Sequence, residues 1–295
     1  MKSLVFPLLL LLSVCAGGQT VKYTVLDDDP MHLKKTEIDL SALGIDFIVP
    51  RSEFGEGDVS INANLRVQHF PIKDKFGVDF NLQLSAALIT EVNYRRTNLS
   101  VTYALGSKQK KEEQSFVLGR KSTSSGYVQT TTTRFINIPQ TRQKNLELRA
   151  GYSGTKGTFA RVPIQGHANP RYVDYRSHGI SAGIQVRRFF HQRIKLNNRA
   201  YTNSNTWILY SDVLFMPVTS YSPRGTGFRS TPTKEELRQA VKDAGVRSTL
   251  GGLIGFKYTG NRQRLFGVTF GGEVGILAPN NSLVINTFWG LPINF

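Results

Sequence analysis

Chemistry on side chains needs partners at fixed spacing, and this chain offers few. Its five histidines, His32, His69, His167, His178 and His191, form no His-x-x-x-His pair and have no cysteine beside them, so zinc-type ligand sets are missing. A Gly-x-Ser-x-Gly turn, which would expose an activated serine, does not occur. His69 or His178 beside a serine would suit a hydrolase at a strand edge, but isolated histidines at strand ends more often pack at an interface. The run Asp27-Asp28-Asp29 has the charge to touch a cation. It lacks the glycine turn and distal glutamate of a calcium loop and reads as a solvated tail. The residues therefore point to no enzyme, no metal and no cofactor.

Positive charge is the stronger signal. Lys and Arg number 37 against 21 Asp and Glu, a net +16, which favours anionic partners: lipopolysaccharide phosphates, an acidic protein subunit, or anions in a pore. Arg66 and Arg149 lie on the polar face of alternating segments, and Arg187 and Lys257 sit near the ends of two others. These four are expected to face a common interior, with Glu273 as their ion-pair partner. A second group, Arg224, Arg229 and Arg247, falls in a long loop and is expected to contact lipopolysaccharide or an acidic surface partner, since Arg grips phosphate through two hydrogen bonds. Around Phe189 and Phe190, the cluster from Arg187 to Arg199 interleaves cations with aromatic rings as a membrane rim would.

What positions these residues is a period of two. In 76–92, Phe76, Val78, Phe80, Leu82 and Leu84 take one face and Asp79, Asn81, Gln83 and Ser85 the other; 58–69 does the same. Both runs exceed the five or six residues usual in soluble strands and suit the roughly ten of a membrane strand. Twelve such segments are expected: 38–49, 58–69, 76–92, 98–105, 114–119, 127–138, 145–153, 178–189, 206–216, 249–259, 266–277 and 283–295, with the alternation slipping near Gly44. Placing Phe295 at the periplasmic end makes 71–75, 139–144 and 260–265 periplasmic turns. It puts 154–177 and 217–248 outside, and leaves 190–205 as an unusually long turn. One helix is expected in the longest loop, where Thr233 and Glu236 form a capping box, Leu237, Ala240, Val241 and Ala244 an apolar stripe, and Gly245 a stop. The fold class is thus all-β: a closed antiparallel transmembrane β-barrel of about twelve strands, within a range of eight to fourteen, with one short helix.

The termini agree with export to an outer membrane. Lys2, the apolar run from Leu4 to Val14 and the small residues Ala16-Gly17-Gly18 read as a signal cleaved after residue 18. Val14 before Cys15 argues against lipid attachment. Residues 19–37 then form a periplasmic segment and 38–295 the barrel, and the export signal disfavours nucleic acid as a partner. No later stretch is long and apolar enough for a transmembrane helix. At the end, Trp289, Leu291, Ile293 and Phe295 alternate on one face, the pattern that barrel-assembly machinery reads during insertion. The signal ending before Gln19, the Cys-free alternating body and the terminal Phe295 resemble outer-membrane β-barrel proteins of the Bacteroidota type. That resemblance implies fold and a Gram-negative outer-membrane location, and carries over no functional residue. Two functions follow as expectations: a channel or porin-like protein with an anion-favouring basic lumen, or a non-enzymatic structural subunit of an outer-membrane assembly or secretion complex with a plugged lumen.

Overall fold

A computed structural model of the chain describes residues 22–49, 58–72, 75–88, 94–125, 128–162, 171–196, 198–223, 232–243, 248–262, 264–278 and 282–295. The expected signal and the Arg224, Arg229 and Arg247 group lie outside these residues. The strands are β1 (Tyr23–Asp27), β2 (Thr36–Val49), β3 (Asp58–Ile72), β4 (Phe76–Ala87), β5 (Tyr94–Ser125), β6 (Val128–Val162), β7 (Arg171–Leu196), β8 (Arg199–Pro223), β9 (Leu250–Gly260), β10 (Val268–Leu277) and β11 (Ser282–Asn294). Helix α1 (Lys234–Asp243) lies between β8 and β9.

Strands β2 to β11 close into a ten-stranded antiparallel barrel in which chain neighbours are spatial neighbours and β11 pairs back to β2. Following register partners round the wall from Phe76 to Val59 returns to β4 beside Leu88, twelve residues further along. That stagger tilts the strands and sets the width of the barrel. Because side chains alternate, one set from every strand points inward and the other outward. The slip near Gly44 is a bulge between Ser41 and Gly44. A Cβ at Gly44 would collide with the Thr287 carbonyl and the Asn62 side chain, so only glycine fits there.

The outer face is apolar. On β8, Trp207, Leu209, Val213 and Phe215 are all exposed and cover the nine to eleven residues that a tilted strand needs to cross a hydrocarbon layer. Trp207, Tyr258, Phe270 and Trp289 are successive register partners on four adjacent strands. Their rings form a row, with Trp207 and Tyr258 at 4.7 Å and Tyr258 and Phe270 at 5.0 Å between centroids. A row of this kind suits a membrane–water interface, where amphipathic rings settle.

Ten strands rather than twelve reflects two mergers. Segments 98–105 and 114–119 belong to one strand, β5, and 127–138 and 145–153 to another, β6. Residues 139–144, expected as a turn, continue the pairing of β6 with β5. Apolar–polar alternation lapses there because the buried side of this stretch is itself polar: Gln140, Thr141 and Gln143 are buried, with Thr141 bonded to Asp28 and the Pro139 carbonyl to Gln192, while Arg142 and Lys144 are exposed. The long turn expected at 190–205 is likewise the extended β7–β8 hairpin, which turns at Asn198 with φ 67°, a left-handed conformation that Asn tolerates. In α1, Thr233 N–H donates to Glu236 and Glu236 N–H to Thr233, the reciprocal cap, and Leu237, Ala240 and Val241 are buried.

Candidate functional site: a sealed lumen

Inward side chains fill the barrel in layers. Toward the end that carries α1, Tyr94, Leu214, Leu253, Leu277 and Val284 form an apolar layer against Ile48. Beneath it, Asp46 accepts from Asn62 at 2.8 Å, Gln83 at 2.8 Å and Ser85 at 2.5 Å, so this buried carboxylate is satisfied by neutral donors. The central layers are ionic. Arg96 and Tyr210 both bond Glu273. Arg66 forks onto Asp79, with Nε donating at 3.0 Å. Arg149 lies 3.3 Å from Asp212, donates to Gln185 at 3.1 Å and stacks 4.5 Å over the Tyr210 ring. Arg187 bonds Glu147 at 2.7 Å and stacks 4.1 Å over Phe70.

The layer nearest the C-terminal end centres on Glu37. It accepts from Lys257 and Thr259 through one oxygen, while its other oxygen lies 3.2 Å from Arg262. Asp39 is 3.4 Å from Lys257. Below this layer the chain itself closes the mouth: a short 3-10 turn, Pro30–His32, is capped by Asp29, and Pro30 and Leu33 are buried in the opening. Lys34 donates to the Asn294 carbonyl at 3.0 Å. Strand β6 leaves β7 at Arg142 and Phe190, and β1 takes over the vacated edge, pairing Tyr23 with Leu196.

The aspartate run that reads as a solvated tail is instead the fastening of this segment. Asp27 bonds His32 at 2.6 Å and lies 3.3 Å from His191, Asp28 accepts from Thr141 at 2.9 Å, and Asp29 accepts from Met31 N–H. Partial burial pushes the Asp27 carboxyl up, but the Asp29 N–H and the two histidines outweigh it and hold the group below its ordinary value.

The five residues assigned to the lumen from sequence, Arg66, Arg149, Arg187, Lys257 and Glu273, are all buried inside the barrel. Glu273, expected as the partner of the four cations, pairs instead with Arg96, and sequence reasoning missed the carboxylates that the four do meet: Asp79, Asp212, Glu147 and Glu37. Six buried Lys and Arg face seven buried carboxylates among the described residues, so the interior is balanced rather than basic. The signal existed, since Asp79 shares the polar face of its segment with Asn81; Glu37 and Arg96, however, fell just outside the expected strand limits. Trp289, Leu291 and Phe295 are exposed on the outer wall and Ile293 is half-exposed beside them. A cavity of about 20 Å³ lies between Arg66, Asp79, Arg149, Tyr210, Asp212 and Glu273, space on the scale of ordered water.

No model of a known protein family matches the chain, and no curated protein is significantly similar to it. Among solved structures it is similar to a protein described as the CymD monoaromatic hydrocarbon channel, at 9% identity and a TM-score of 0.27, over 90% of this chain and 90% of that one. It is also similar to the outer membrane protein OprD from Pseudomonas aeruginosa, at 9% identity and a TM-score of 0.17, over 92% of this chain and 98% of that one.

Proposed function

We propose that this chain is a non-enzymatic, porin-like β-barrel of a Gram-negative outer membrane. In this reading it works as a structural subunit of a membrane assembly and not as an open pore. The observation that carries the reading is the filled lumen, in which, among the described residues, six buried cations meet seven buried carboxylates and the side chains of successive layers pack across the bore. Closing a bore with ion pairs costs desolvation of every charge. A barrel that conducted steadily would have no use for that cost. The membrane location rests on the exposed apolar wall and its aromatic row, which leave lipid as the solvent for the outer face. On this reading Trp289, Leu291, Ile293 and Phe295 face lipid and guide insertion by the barrel-assembly machinery, while the loop arginines 224, 229 and 247 meet lipopolysaccharide.

The test has two parts. Native membranes are fractionated, and the unheated protein is compared with the boiled protein on a detergent gel; it should run with the outer membrane and shift on boiling. Purified protein in a planar bilayer should then stay silent under applied voltage. Stepwise conductance with anion preference would overturn the sealed reading and restore the basic channel. A soluble fraction with heat-independent mobility would overturn the membrane reading as a whole.

A further inference from the structure

The β5–β6 hairpin outruns the barrel. Strand β5 pairs with β4 only as far as Tyr103, and Ala104 N–H closes that ladder on the Lys75 carbonyl at 2.8 Å. From Leu105 to Ser125 its only strand neighbour among the described residues is β6. At about 3.3 Å per residue this arm extends on the order of 70 Å from the end that carries the C-terminus. Its outer edge presents a row of backbone N–H and C=O groups with no ladder partner, the surface to which another chain adds a strand. Beyond Lys110 and Arg142, where β6 leaves β7, the arm is a ribbon of two strands, which is only marginally stable in water without such support.

Two further features say what kind of chain would fit. Between Leu105 and Lys144 the arm carries eight Lys and Arg against two acidic residues, Glu112 and Glu113, and Glu112 is already engaged by Lys110 and Arg142 at 3.3 and 2.7 Å. Midway along, Val117 and Phe135 are register partners on one face, 55% and 62% exposed, beside Ser115, Asn137 and Thr133. An exposed aromatic beside an aliphatic residue is a typical anchor for an interface. A lipid headgroup would answer the charge but not the backbone edge. A second copy of the arm would answer the edge but set like charges against each other. An acidic polypeptide answers both.

We propose that this arm is a docking edge for an acidic polypeptide, which adds a strand along β5 and covers Val117 and Phe135. This deepens the assembly-subunit reading and depends on the membrane reading only for the compartment, the periplasm. The test places a photo-crosslinking residue, benzoylphenylalanine, at Thr131 in the full-length protein in its own membrane, with the same residue at lipid-facing Val213 as control. The expected product is an adduct with a different, acidic polypeptide, seen from Thr131 and not from Val213. Charge reversal by Lys111→Glu, Arg120→Glu and Arg134→Glu together, and separately Phe135→Asp, should each lower its yield about tenfold or more, with the heat-shifted gel band unchanged. If reversal disturbs folding, the milder pair Lys111→Gln and Arg134→Gln should still lower it by about threefold. An adduct with a second copy, an adduct insensitive to these substitutions, or no polypeptide adduct would overturn the proposal. Loss of the heat shift in the unsubstituted protein would instead strike the membrane reading and leave the edge to be judged by the adduct.

Discussion

Replacing Glu37 by glutamine is expected to destabilise the folded barrel by about 3–5 kcal/mol, the usual cost of removing one partner from a buried ion pair. Glu37 and Lys257 are each about 1% exposed, and the same carboxylate also faces Arg262 at 3.2 Å. Glutamine keeps the shape and some hydrogen bonding but strands two cations with one charge too few. Asp39, 3.4 Å from Lys257, answers part of that loss, which favours the lower end of the range. Urea unfolding of the protein refolded into lipid, followed through the heat-shifted gel band, measures it. The double variant Glu37→Gln with Lys257→Met should recover part of the stability, because it removes a cation that has lost its partner. A single-variant loss under about 1 kcal/mol would mean that water reaches this layer and that the lumen is less tightly closed than its packing indicates.

The second large effect concerns the opposite face. Val213 is 59% exposed on β8, between Leu209 and Phe215 in the apolar band. In water an exposed valine tolerates arginine within about 0.5 kcal/mol. At the middle of a bilayer the same change on a barrel wall costs about 2–4 kcal/mol. Val213→Arg should therefore weaken the protein by that larger amount in lipid vesicles. Val218→Arg, on the same strand beyond the band, should cost less because depth sets the penalty. Equal and small effects at both positions would remove lipid as the explanation of the apolar wall.

These two faces were not equally legible in the sequence. The alternation in 58–69 and 76–92 places Arg66 and Asp79 inside and Ile61 and Leu84 outside, because a strand with different solvents on its two sides leaves a period-two trace. The bulge at Gly44 was visible as a break in that trace. Pairing within the lumen was not visible: Lys257 meets Glu37 across 220 residues of chain, and only closure of the barrel brings them together. The arm was hidden for a different reason. From Lys108 to Glu113 and from Pro139 to Lys144 both faces are polar, so a strand that runs past the apolar wall looks like a loop. Asp27 to Asp29 looked solvated because charge alone cannot reveal a receiving His191 or Thr141 from another strand.

The arm also bears on the order in which the protein folds. Ser125 and Val128 are register partners three residues apart in the chain, and the ladder from there to Arg95 and Lys156 can zip by adding one neighbouring pair at a time, each closing only a short loop. Pairing β11 with β2 joins the two extremes of the barrel sequence, the most expensive loop of all. The hairpin can therefore form before the other wall strands are in place, since from Leu105 to Ser125 β5 pairs with β6 alone among the described residues. It would then present β5 and β6 already in register as a template on which the other eight wall strands assemble, with the β11–β2 seam closing last.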